Sequence, residues 1–89
     1  MKNISAKGLR PEYNIIDTRD SYKYNNGHVY NAINISKMDL MTNHKKYLDK
    51  NKTYYIYCNF GHDSRKVCEY LINFGYDVIN VYGGYNAFK

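Results

Sequence analysis

One short segment joins a nucleophile to a backbone suited to anions: Cys58-Asn59-Phe60-Gly61-His62-Asp63-Ser64. It follows the apolar run Thr53–Cys58 (TYYIYC), which reads as a buried strand. It precedes Ser64–Phe74, where Val67, Cys68, Leu71, Ile72 and Phe74 recur at helical spacing. A loop this short between strand and helix must curve back over the helix N-terminus, so its N–H groups converge on the sulfur. Gly61 supplies a backbone conformation that other residues avoid. The helix dipole and the converging amides favour the thiolate over the thiol. The chemistry this points to is nucleophilic attack by Cys58, with the same amides holding an anionic group of its substrate. A buried cysteine that merely ends a strand is the plainer reading, and spacing alone leaves both open.

The other reactive side chains divide between roles. His62, inside the loop, is placed either to lend a proton or charge to a bound anion or to face solvent. His28 follows Gly27 and reads as a structural histidine bonding nearby backbone, and Asp17 as a structural acid at a strand end. Cys68 falls on the apolar face of its helix and belongs to the core rather than to a resolving pair. Cys58, His62, Cys68 and His28 match no zinc-finger spacing, so no metal is expected. A cysteine phosphatase would need Arg six residues after the nucleophile. That position is Ser64, and Arg65 is turned by about 100° along the helix.

The elements that must position Cys58 alternate. Tyr13–Asp17 (YNIID) reads as a buried strand, and Thr18–Asn26 as a short helix stopped by Asn26-Gly27. Val29–Ile35 (VYNAINI) reads as a strand with Val29, Ile33 and Ile35 on one face. Ser36 and Asp39 match a capping box for a helix carrying Leu40, Met41, His44, Tyr47 and Leu48. Gly75 is placed as the stop of the Ser64–Phe74 helix, and Asp77–Tyr82 (DVINVY) is a last strand before Gly83-Gly84. This alternation predicts a mainly parallel α/β sheet with helices on both faces and a site beyond the strands' carboxyl ends. The residues there are Asp17, Ile35, Cys58 and Tyr82, and of these only Cys58 is a strong nucleophile.

At 89 residues and 44% hydrophobic, the chain is expected to be one domain, 1–89, with one core. One Pro and six Gly exclude collagen-like and low-complexity classes. No apolar run is long enough for a membrane span, and the first residues lack a signal peptide's apolar stretch. Two cysteines outside any CxxC pair form no disulfide scaffold, which suits reduced thiols in the cytoplasm. Net charge is +5, all of it in residues 1–52, where ten Lys and Arg face five acids. That asymmetry reads as a solvated face, not a nucleic-acid surface.

Three segments and the chain's end resemble the rhodanese homology domain. Ile16-Asp17-Thr18-Arg19 is similar to its first strand and following Asp-x-Arg, and Gly27–Ile35 (GHVYNAINI) to its Gly-His-Ile-x-Gly-Ala-x-Asn-Ile segment. Cys58–Ser64 resembles its Cys-x-x-Gly-x-x-Ser active loop, and Val81–Phe88 its closing Gly-Gly and aromatic. The resemblance implies a five-stranded parallel α/β domain and sulfur transfer. In that chemistry Cys58 takes a sulfane sulfur from a donor such as thiosulfate or a persulfide, and the amides of Asn59, Phe60, Gly61, His62, Asp63 and Ser64 cradle it. The acceptor would be a small thiol, cyanide or a protein, with no cofactor. A non-enzymatic or weakly active binding module is the alternative. Two departures bear on it. Asp63 stands where many active members carry Arg, in a position to cap the helix and occupy the loop amides. Lys23 stands where the family often has a Glu partner for Arg19, leaving Asp20 or Glu12 to pair with it.

Overall fold

The computed structural model describes residues 1–88. Five strands form one fully parallel sheet: β1 (Lys2–Ile4), β2 (Asn14–Asp17), β3 (Ile33–Asn34), β4 (Thr53–Tyr57) and β5 (Asp77–Val81), in the order β1-β5-β4-β2-β3. The helices are α1 (Ser21–Asn25), α2 (Lys37–Thr42), α3 (His44–Tyr47) and α4 (His62–Ile72), with 3-10 turns at Ala6–Gly8 and Tyr85–Phe88.

Strand alternation sorts the core into two layers. Ile16, Tyr54, Ile56 and Val78 face α2, α3 and α4 and pack with Leu40, Leu48, Val67, Cys68 and Leu71. Ile15, Tyr57 and Val81 face the other way and pack with Ala32, Leu9, Val29 and Tyr85. On that second face lie the short α1, whose Tyr24 hydroxyl donates to the Ala32 carbonyl, and the two 3-10 turns. Central β4 pairs with β2 and β5 and is thus shielded on both edges, as its near-continuous apolar run requires. Its C-terminus delivers Cys58 to the sheet's carboxyl end.

Several expectations are corrected. β1 was not anticipated, because three residues joining an edge, two of them exposed, carry no periodic signal. The strand read over Val29–Ile35 is only Ile33–Asn34. Val29–Ala32 turns instead, with Asn31 at φ 70° and the Ala32 amide donating to the Val29 carbonyl. Ile33 is therefore 54% exposed on an edge strand, while Ile35 is buried. The helix read through 36–48 breaks at Asn43 (φ −132°) into α2 and α3. Its start is as expected, with Ser36 Oγ accepting from the Asp39 amide at 3.1 Å. No helix among the described residues is long and apolar enough to cross a membrane.

Candidate active site

α4 begins at His62, two residues earlier than the apolar spacing suggested, with Gly61 as its N-cap at φ 99°. This left-handed residue closes the loop, and only Gly fits it. A Cβ there would sit 2.8 Å from the Gly83 amide nitrogen. The turn brings two backbone amides onto the Cys58 sulfur, Gly61 N–H at 3.1 Å and Ser64 N–H at 3.3 Å. Both stabilise negative charge on Sγ. The remaining first-turn amides of α4 have no carbonyl partner within the helix. The Cys58 thiol donates to Ser64 Oγ at 3.4 Å, and the Ser64 hydroxyl donates to Asn80 Oδ1 at 2.6 Å.

A second segment clamps the loop from outside. The Tyr85 amide donates to the Cys58 carbonyl at 2.8 Å and the Asn86 amide to the Asn59 carbonyl at 3.0 Å. Gly84 lies so close that a Cβ would stand 2.5 Å from the Cys58 carbonyl oxygen. Beneath Tyr85, the Arg19 guanidinium lies 4.0 Å from the ring centroid. Arg19 pairs with Asp17 at 2.8 Å, both buried, and donates to the Gly27 carbonyl at 2.6 Å. The expected partners are engaged elsewhere: Glu12 binds Arg10, and Asp20 caps α1. With Asp17 and the Gly27 carbonyl as acceptors, Arg19 needs no second acid. Burial of Tyr57, whose hydroxyl donates to Asp17 at 2.6 Å, pushes that phenol well above its usual value.

Of the loop residues singled out, Cys58, Gly61 and Ser64 meet at the sulfur, while Asn59 is held by Asn86. Phe60 is 63% exposed, a ridge between two open clefts of about 650 and 510 Å³. His62 and Asp63 are exposed. Asp63 does not cap the helix. Because α4 starts earlier, its carboxylate lies in the first turn, 3.6 Å from Lys37 Nζ. Arg65 pairs with Glu69 along the exposed side of α4. His28 bonds the Tyr24 carbonyl at 2.8 Å, as read from the sequence. Cys68 is fully buried, and burial pushes its thiol up to about 12.

Asn80, Gly84, Tyr85 and Asn86 were not anticipated at the site. For Asn80 a signal existed, a polar side chain on the same strand face as Val78, where alternation expects an apolar one. Gly84 read only as a turn residue.

The comparisons with known proteins agree with this fold. The family model for the rhodanese-like domain matches residues 2–89. The chain is 33% identical to thiosulfate sulfurtransferase GlpE of Coxiella burnetii, over 84% of this chain and 70% of the relative. It is 32% identical to the putative sulfurtransferase YtwF of Bacillus subtilis, over 100% of this chain and 91% of the relative. The crystal structure of SSP1007 from Staphylococcus saprophyticus superposes with a TM-score of 0.91 at 30% identity, covering 100% of this chain and 94% of that one. That of a rhodanese-like domain protein from Staphylococcus aureus gives 0.87 at 33%, covering 100% and 92%. With the loop, the sheet order and these matches together, the chain belongs to the family of rhodanese-like domains.

Proposed function

We propose that this chain is a rhodanese-type sulfurtransferase that carries a sulfane sulfur as a persulfide on Cys58. The observation that carries this is the pair of amides converging on Cys58 Sγ at the start of α4. The Cys58 thiolate attacks the outer sulfur of the donor. With thiosulfate, the S–S bond breaks, its electron pair leaves on sulfite, and Cys58–S–S⁻ remains. An acceptor thiolate or cyanide then takes the outer sulfur, giving a persulfide or thiocyanate and regenerating the thiolate.

The loop amides of residues 59–64 are the cradle for the outer sulfur. The clefts on either side of Phe60 give room for donor and acceptor. The names of the GlpE relatives support thiosulfate as a donor. A thiol persulfide is the other donor class, and a protein acceptor is compatible with an open site. The exposed Asp63 carboxylate favours a second reading, a binding module with slow turnover, because it repels anionic donors.

Intact mass after incubation with thiosulfate, and separately with a thiol persulfide, separates the readings. One added sulfur is expected, removed by cyanide and absent in Cys58→Ser with the fold unchanged. No added sulfur from either donor, or retention of activity in Cys58→Ser, overturns the proposal.

A further inference from the structure

We propose that Asn80, acting through Ser64, is a positioning residue that lets the buried Cys58 sulfur be either thiol or thiolate with every neighbouring polar group paired. The inference rests on the reading of Cys58 as the nucleophile. Asn80 is 2% exposed on the face of β5 that packs against α4. Its amide completes a chain. The Cys58 thiol donates to Ser64 Oγ, the Ser64 hydroxyl to Asn80 Oδ1, and Asn80 Nδ2 to Asn3 Oδ1 at 3.1 Å.

Run in this direction, the chain suits a protonated sulfur only. Ser64 has one hydrogen, and it is committed to Asn80. Once Cys58 releases its proton to water, the sulfur can only accept. Ser64 then turns its hydrogen to the sulfur, which leaves Asn80 Oδ1 facing a bare lone pair. A half-turn of the Asn80 amide, with a matching turn of the exposed Asn3 amide away from the Met1 carbonyl, repairs this. Nδ2 of Asn80 then donates to Ser64 Oγ, and its Oδ1 accepts from Asn3 Nδ2. The terminal torsion of Asn is broad and roughly two-fold, so both orientations are available without strain. Leu at this position would serve neither state, and Asp only the first. In the observed direction no buried side-chain nitrogen or oxygen among the described residues lacks a partner. The reversed direction preserves that pairing. No proton travels along the chain; it only reorients.

The charged and titratable groups around the sulfur are His62, Asp63 and Arg65 on α4, Lys37 beside Asp63, Arg19 and Tyr85 under the loop, and Cys68 within the core. None of them hydrogen-bonds to Sγ, so the response belongs to the chain of Ser64, Asn80 and Asn3.

The test is the pH profile of iodoacetamide alkylation at Cys58, read by mass. Asn80→Asp and Asn3→Asp are each made in the native and in the Ser64→Ala background. Either carboxylate holds Asn80's end of the chain in the direction that suits the thiol. In the native background the alkylation midpoint should rise by about one pH unit for Asn80→Asp, a tenfold loss of thiolate below it. The rise should be about half a unit for Asn3→Asp. In the Ser64→Ala background both shifts should fall to less than a third. Equal shifts in both backgrounds would mean charge alone and overturn the proposal, as would no shift in the native one. Asn3 is exposed on an edge strand, so its variant decides the matter if Asn80→Asp does not fold. Alkylation needs no sulfur donor. Failure of the sulfur-transfer reading would appear separately, as an unchanged mass with an intact alkylation profile.

Discussion

Asp63 puts a negative charge in the first turn of α4, at the helix end whose dipole and amides draw anions toward Cys58. Lys37 offsets it from 3.6 Å, but both side chains are largely solvated and such pairs are weak. A dianionic donor feels the carboxylate more than a neutral or singly charged persulfide does. Asp63→Arg is therefore expected to raise the rate with thiosulfate about fivefold at low salt and less at high salt, since screening acts on exposed charge. Steady-state rates with both donor classes check this. An unchanged or lower thiosulfate rate, with Cys58 still alkylated normally, would show that Asp63 does not govern donor choice. Lys37→Ala should move the thiosulfate rate the opposite way.

Two glycine turns from distant parts of the chain meet at the loop, and their contact sets the sulfur's surroundings. Gly84, at φ 60°, lets the Tyr85 and Asn86 amides reach the Cys58 and Asn59 carbonyls. A Cβ on Gly84 would fall 2.6 Å from the Asn59 carbonyl carbon, and that atom is backbone with no side chain to swing aside. Gly84→Ala should cost about 2 kcal/mol or more, strain and displacement together, and slow Cys58 alkylation several-fold as the loop moves off its amides. Gly75→Ala is the control. It shares a positive φ, 89°, but its Cβ would meet only Lys50 Nζ at 4.0 Å. It should cost about 1 kcal/mol and leave alkylation unchanged. Equal effects on alkylation would mean that the Gly84 contact does not hold the loop.

Across the whole molecule, two core layers hold titratable groups in their neutral forms. Burial raises the Cys68 thiol from 9.0 to about 12. The folded state therefore holds this proton more tightly than the unfolded chain does. The stability it contributes is complete below pH 9 and is lost as pH rises toward 12, at about 1.4 kcal/mol per pH unit. Tyr57, raised above 10.0 by burial and its bond to Asp17, adds to the slope at higher pH. Urea unfolding at pH 8 and pH 10.5 should show Cys68→Val losing less stability across that interval than the native chain. An identical loss in both would remove Cys68 from the account.

The amides converging on Cys58, the later strands in their chain order and the parallel class were legible along the chain. They depend on residue types and periods within a few positions: TYYIYC, a glycine three residues after Cys58, and an apolar stripe on the following helix. What only the tertiary structure decided are the meetings of segments far apart. Asn80 reaches Ser64 across 16 residues and Asn3 across 77, and each bond needs the register of β1, β5 and α4 together. Arg19 turns back to Asp17 because packing engages the alternatives elsewhere, Glu12 with Arg10 and Asp20 as the cap of α1. Asp63 loses the cap role because α4 starts at His62, with Gly61, left-handed and pressed against Gly83, as its N-cap. Local patterns specify elements through short-range sterics and alternation. The partners of a buried polar atom are chosen by how those elements pack, because each such atom must be satisfied by whatever the fold brings within reach.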